Sequence, residues 1–276
     1  MTRVSTIIPT FNRSAKLIRA LSSVLSQTYT DNEIIVVDDG SSDNTKEKVA
    51  PYLKHIHYIR HDENLGVSTA RNNGIKAAQS PLIAFLDSDD YWLPKKLEIQ
   101  VRFFEENRQA VACQTQEKWF RYGVAVNPRQ KHLKPSGNIF EKSLKLCLVS
   151  PSTVMCRRYV FDEVGLFDED FPVCEDYDLW LRISCRYSIH LIDKILAVKE
   201  GGHPDQLSSS LKGMDRFRIK SMVKLLKSST LNHEQTLAVI RELEYKCRIY
   251  GEGCLKRGKI DEGNYYLNLP RNIVTC

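Results

Sequence analysis

Strand-sized runs that are apolar throughout alternate with amphipathic stretches over the first 110 residues, and this alternation limits the possible folds more than any other feature. "VSTIIPT", "NEIIVVDDG", "IHYIR" and "PLIAFLD" read as strands. Between and after them, "SAKLIRALSSVLSQT", "SDNTKEKVAPYL", "GVSTARNNGIKAAQS" and "LPKKLEIQVRFFEEN" read as helices. Ser14 or Asn12 is available to cap the first helix, and Pro94 suits the first turn of the last. A strand with one wet face alternates apolar and polar residues; these do not, so both of their faces must be covered. The pattern predicts a mainly parallel sheet flanked by helices.

Such a Rossmann-like α/β half binds ligands beyond the carboxyl ends of its strands. The polar clusters of this chain fall there: "PTFNR", "DDGSSD", "ENLGVSTARNNG" and "DSDD" follow the four strands in turn. Any one of them is ordinary turn chemistry, but four converging strand ends form a crevice. No G-x-G-x-x-G follows the first strand and no G-x-x-x-x-G-K-[ST] occurs, which disfavours a dinucleotide or P-loop site. Asp38 and Asp39 stand where an acid accepts hydrogen bonds from a ribose or base. In "FLDSDDYW", Asp87, Asp89 and Asp90 crowd three carboxylates into four positions. Like charges this close raise one another's pKa, so the cluster holds a metal, sits in a cage of Arg and Lys, or is a solvated loop.

The 276 residues can bury one substantial core with a small appendage. The longest apolar runs are strand-sized, and "MTRVSTIIPTFNRS" lacks the apolar core of a signal peptide, so the expectation is a cytoplasmic protein without a membrane span. Eight cysteines show neither a C-x-x-C pair nor a repeated spacing, which fits reduced thiols better than disulfides or a zinc ribbon. Of the net charge of +6, +5 lies in residues 201–276, where 13 Lys and Arg face 8 Asp and Glu. That is a local feature, and nucleic acid is not an expected partner.

Further along, "VCEDYDLWLR" reads as the acidic first turn of a helix. Residues 113–140 read as strand and loop, where Trp119, Arg121 and Tyr122 either stack on a sugar or are buried in a hairpin. "SPSTVMCRRYVFDEVGLFDEDFPVCED" reads as strand, short helix and loop. In "KEGGHPDQLSSS" two glycines permit a flexible loop and His203 can bind a metal or phosphate oxygen. The rest is helical by pattern, with a break at "KRGK". These basic helices either pack against the catalytic domain or lie peripherally on an anionic membrane.

The motifs "STIIPTFNR", "IIVVDDGSSDNT", "NLGVSTARNNGI", "FLDSDDYW" and "CEDYDLWLR" resemble, in order, those of family 2 glycosyltransferases with the GT-A fold. The resemblance implies an inverting transferase that moves a sugar from a nucleotide-sugar donor, most often a UDP-sugar, to an acceptor hydroxyl of a glycan, lipopolysaccharide or polysaccharide. It places Pro9, Thr10, Asn12, Arg13 and Arg71 around the nucleotide, Asp39 on the base and Asp89 on the ribose side. It gives Mn²⁺ or Mg²⁺ to Asp90 with Asp89, and a contact with metal or diphosphate to His203. It makes Asp176 the base that takes the acceptor's proton. The implied acceptor is a glycan or a lipid-linked molecule.

These readings divide the chain into a GT-A domain over 1–200, with a nucleotide half over 1–110 and an acceptor half over 111–200, and a loop with a helical C-terminal extension over 201–276. The alternative to an enzyme is an inactive sugar-nucleotide-binding subunit of a glycan-assembly complex. Such a module need keep neither Asp90 nor Asp176, and both are present.

Overall fold

The computed structural model describes residues 3–127, 129–202 and 213–274. β1 (Val4–Thr10), β2 (Asn32–Asp38), β3 (His57–Arg60) and β4 (Leu82–Phe85) run parallel, with β1 between β2 and β4. Helices on both faces cover β1, β4 and the Ile34–Asp38 run of β2, whereas β3, at the sheet edge, is only half-buried and exposes His57 and Arg60, so the expectation of a strand covered on both faces fails there. α1 (Ser14–Leu25) packs Leu17, Leu21 and Val24 with Val4 and Ile8 of β1. On the opposite face, α3 (Val67–Ala77) packs Ala70 and Ile75 with Ile7, Ile35 and Val37.

The local signals hold less well at the helix ends. α1 begins at Ser14, with Arg13 in the cap position and no side-chain cap. Asn12 instead adopts a left-handed φ of 50° and accepts the backbone N–H groups of Ser42 and Asp43 through Oδ1, at 2.8 and 3.2 Å. A tertiary contact has taken the residue that local chemistry would use as a cap. α2 (Thr45–Val49) stops one turn early and runs on only as a 3-10 turn, Ala50–Tyr52, because Pro51 cannot donate to an α-helical ladder. Pro94 lies just outside α4 (Lys96–Glu106) rather than in its first turn, and its carbonyl accepts Thr28 N at 2.9 Å.

The second half of the sheet turns mixed. β8 (Met155–Arg157) runs antiparallel to β4, β6 (Ala112–Arg121) antiparallel to β8, β9 (Ile189–Gly201) parallel to β6, and β5 (Tyr91–Trp92) antiparallel to β9. β7 (Val124–Val126) closes a hairpin on β6 through Tyr122 and Gly123, whose φ values of 52° and 76° suit a two-residue turn. In that hairpin Trp119 is half-buried against His132, whereas Tyr122 at the tip is 78% exposed. Burial thus describes Trp119 and not Tyr122.

α5 (Phe140–Lys145) and α7 (Glu175–Ser184) share a third core with α8 (Asp215–Lys227) and α9 (His233–Lys256), while α6 (Tyr159–Val164) joins the sheet core. α10 (Ile260–Val274) folds back along α9. Tyr177 and Leu181 of α7 meet Met222, Leu225, Val239 and Leu243, and burying each such side chain contributes about 1.5–3 kcal/mol. Polar ties add to this: Asp178 accepts Ser221 Oγ at 2.8 Å and pairs with Lys224 at 3.1 Å and Arg182 at 2.9 Å. The extension therefore packs on the helix that carries the "ED" acids. Among the described residues no helix is long and apolar enough to cross a membrane.

Candidate active site

Parallel pairing carries the four predicted strand ends to one edge of the sheet. Pro9 and Thr10 lie opposite Val37 and Asp38, and Asp39 N donates to Thr10 O at 2.9 Å. Thr10 is buried, and its Oγ1 has no hydrogen-bond partner among the described residues. Asp39 is buried too, with its carboxylate fixed from three sides. Leu65 N reaches Oδ1 at 2.9 Å, Gly66 N reaches Oδ2 at 2.8 Å, and His61 Nδ1 lies 2.7 Å from Oδ1. Asn73 Nδ2 stands 2.8 Å from His61 Nε2, so Nε2 accepts and Nδ1–H donates to Asp39.

The acidic turn between β4 and β5 sits in a cage of cations. Arg13 Nη1 pairs with Asp89 Oδ2 at 2.9 Å. Arg19 Nη2 donates to the Asp89 carbonyl at 2.8 Å and Nη1 pairs with Glu200 at 2.7 Å. Arg71 Nη2 pairs with Asp87 at 2.8 Å. Burial alone would raise the Asp87 carboxyl, but Arg71 and then Lys199 hold it below the usual carboxylate range. Asp90 behaves differently. Burial pushes it up to about 8; Lys199 opposes the shift while Asp89 and Asp87 add to it. Its Oδ2 accepts Ser152 Oγ at 2.6 Å and its Oδ1 accepts Glu200 N at 3.1 Å.

Arg71 also links this turn to α7, because its Nη1 pairs with Glu175 Oε1 at 2.6 Å. One buried guanidinium serves two acids. Asp87 is held ionised, whereas Glu175 is raised to about 7, by burial first and then by the charge of Asp176. Cys174, just before α7, holds a left-handed φ of 64°, a conformation that costs a non-glycine residue of order 1 kcal/mol and sets the direction in which the acids leave the loop. Asp176 is half-buried; its Oδ1 accepts Tyr177 N at 2.7 Å and its Oδ2 lies 3.5 Å from Cys147 Sγ.

Pro9, Thr10, Asn12, Arg13, Asp39, Arg71, Asp89 and Asp90 thus line connected strand ends, and Asp176 joins them through Glu175 and Arg71. His203 lies outside the described residues. Among the described residues no group of three His, Cys, Asp or Glu side chains is arranged to hold a metal. Fewer protein ligands suffice where phosphate and water complete the shell of Mn²⁺ or Mg²⁺. Asp89 fits that role, since Oδ1 carries no hydrogen bond among the described residues. Asp90 accepts one hydrogen bond on each oxygen and, when ionised, keeps a second lone pair on each with which it could join. Sequence reasoning did not single out His61, which meets Asp39, or Lys199, whose charge acts on the acidic turn, and neither carries a local signal.

A family model described as glycosyl transferase family 2 matches residues 5–165. The chain belongs to glycosyltransferase family 2. An uncharacterised glycosyltransferase of Rickettsia felis is 39% identical over 204 residues, 71% of this chain and 32% of that protein. The chain spans about a third of the length of that relative and of its counterpart in Rickettsia conorii. An Escherichia coli enzyme, UDP-Glc:alpha-D-GlcNAc-diphosphoundecaprenol beta-1,3-glucosyltransferase WfgD, is 36% identical over 186 residues, 65% of this chain and 69% of its own. Among solved structures, S. aureus TarS 1-349 in complex with UDP-GlcNAc superposes with a TM-score of 0.71 at 17% identity, covering 98% of this chain and 92% of its own. Mannosyltransferase PcManGT from Pyrobaculum calidifontis, in complex with GDP-Man and Mn²⁺, gives 0.65 at 16% identity over 99% and 74%. These two likenesses speak for the fold alone, the expected GT-A architecture with C-terminal helices.

Proposed function

We propose that this family 2 glycosyltransferase moves a sugar from a UDP-sugar to a hydroxyl of a lipid-linked glycan acceptor, with inversion, at the cytoplasmic face of a membrane. The observation that carries the reading is the Arg71 bridge, which sets the base-side acids of α7 against the donor-side acids of the β4–β5 turn. The donor and acceptor classes follow the named substrates of WfgD and the ligand of TarS.

In the proposed reaction Asp176 takes the proton of the acceptor hydroxyl as its oxygen bonds to the anomeric carbon. The bond from that carbon to the β-phosphate oxygen breaks, and its electron pair leaves with the diphosphate. Attack opposite the leaving group inverts the centre. Pro9, Thr10, Asn12 and Arg13 hold the nucleotide and Asp39 accepts from the N–H of its base. Asp89, with Asp90 and His203, would hold Mn²⁺ or Mg²⁺, which supplies Lewis-acid stabilisation of the diphosphate when bound.

The test is calorimetric titration with UDP, GDP and dTDP, each with Mn²⁺ and with EDTA. It is followed by a transfer assay with UDP-glucose and UDP-GlcNAc on a polyprenyl-diphosphate GlcNAc acceptor. Metal-dependent, UDP-selective binding and an inverted product are expected. Binding of none of the three nucleotides would sink the reading.

A further inference from the structure

Four cations reach the acidic turn, and three are already engaged. Arg13 pairs with Asp89, Arg71 is shared by Asp87 and Glu175, and Arg19 is tied to Glu200 and the Asp89 carbonyl. Lys199 of β9 differs from them, because among the described residues it forms no ion pair. Nearby lysines are engaged as well. Lys134 Nζ contacts Thr115 O, Thr153 Oγ1 and Glu117 within 3.3 Å, and Lys96 Nζ contacts Gln100 at 2.6 Å.

The backbone around Lys199 is nonetheless fixed. Val198 and Ala197 pair with Tyr91 and Trp92, Leu93 N donates to Leu196 O at 2.9 Å, and Glu200 N donates to Asp90 at 3.1 Å. Lys199 is thereby strapped to the turn whose acids the donor reading places on the ribose and metal. Its side chain is half-buried. The acids whose charge acts on its ammonium are Asp90, Glu117, Asp87 and Asp89, and among the described residues none of them forms an ion pair with it. A charged ammonium with three N–H donors and no paired acceptor, fixed at a crevice, is equipped for a phosphate.

We propose that Lys199 is a catalytic residue that donates hydrogen bonds to the β-phosphate of the nucleotide sugar and stabilises the charge that develops there as the bond to the anomeric carbon breaks. The inference rests on the donor reading above. Lys199 keeps its proton throughout, and the electron pair of the broken bond stays on the leaving oxygen. Removing a group of this kind typically costs about 10²–10³ in kcat. Its fixed charge also predicts that diphosphate binding keeps a metal-independent share.

The experiment titrates UDP and UMP in EDTA against the unsubstituted protein, Lys199→Met and Lys199→Arg, with thermal melts of each; GDP with GMP, or dTDP with dTMP, replaces the pair if those nucleotides bind. Lys199→Met is expected to lose about tenfold or more in UDP affinity while UMP affinity changes less than about twofold, and Lys199→Arg to recover most of the loss. Should Lys199→Met fail to fold, Lys199→Gln carries the same comparison. Equal losses for UDP and UMP, or no loss for either, overturn the proposal. Binding of no nucleotide by the unsubstituted protein removes the donor reading itself, and this inference with it.

Discussion

Arg71 Nη1 lies 2.6 Å from Glu175 Oε1 although 104 residues separate them, and the same guanidinium reaches Asp87 at 2.8 Å. All of its pairing is inside the protein, since Arg71 is 3% exposed and Glu175 6%. Removing one member of such a pair leaves a buried charge without a partner and typically costs about 3–5 kcal/mol. Arg71→Met should lower the urea unfolding free energy by that amount and reduce transfer. Adding Glu175→Gln should restore part of the stability and none of the activity. A single variant that unfolds at the same urea concentration as the parent would show that the bridge is dispensable.

The same pair sets a pH dependence. Glu175 titrates near 7 in the folded protein and near 4.5 in an unfolded chain, so between these values the native state binds the extra proton. Its contribution to stability is complete below pH 4.5, declines as pH rises to 7 and is flat above, with a slope of at most about 1.4 kcal/mol per pH unit. Chemical denaturation from pH 4.5 to 8 should show this decline in the parent and lose it in Glu175→Gln. An identical slope in both proteins would assign the proton elsewhere.

His61 acts on Asp39 rather than on a ligand. Two backbone N–H groups and Nδ1–H hold the carboxylate, and Asn73 fixes the imidazole from behind. With His61→Ala, Asp39 loses one charge-assisted hydrogen bond of about 1.5–3 kcal/mol and can turn. Nucleotide affinity should fall at least tenfold, with Asn73→Ala giving a smaller loss and kcat at saturating donor changing little. A fall in kcat with unchanged KM would place His61 in the chemistry instead.

Much of this architecture was legible because it is written in local pattern. Burial of β1, β4 and most of β2 on both faces makes their runs mostly apolar, so the parallel sheet could be read from "VSTIIPT", "EIIVV" and "LIAF". The strand ends could be read because turns there need Asp, Asn and Gly. The partners of the acids could not. Arg71 meets Glu175, His61 meets Asp39 and β9 brings Lys199 to Asp90 only through tertiary contact across 22 to 110 residues, and no periodicity carries that information. The same physics misled the helix caps, since Asn12 serves the Ser42–Asp43 turn and not α1.

Asp176 carries the sharpest prediction about chemistry. Asparagine keeps the size and one acceptor oxygen toward Tyr177 N but cannot take a proton. Asp176→Asn should leave nucleotide affinity within about twofold and cut transfer by about 10²–10⁴, the range general base catalysis supplies. Calorimetry and initial rates on the same preparation separate the two effects. Turnover within tenfold of the parent would move the base to another acid.

Lys96 tests the opposite kind of buried charge, one with no acid to pair. It is fully buried, its Nζ lies 2.6 Å from Gln100 Oε1 and 3.9 Å from the centre of the Trp92 ring, and its folded pKa falls to about 7. Burial is the main cause; Lys134 adds to it and Cys113 opposes it. An unfolded lysine keeps its proton up to about 10.4. Between pH 7 and that value the unfolded state therefore binds the extra proton, and stability rises with pH; below 7 the full cost of charging a buried amine remains. Lys96→Met has nearly the same shape and no charge, so it should unfold at a higher denaturant concentration at pH 7 and lose the rise toward pH 10. Removing the ammonium also leaves Gln100 Oε1 buried without its donor, which costs about 1–3 kcal/mol and limits the gain. A midpoint below that of the parent at pH 7 would mean that the Gln100 and Trp92 contacts outweigh desolvation, and that Lys96 stays charged in its cage.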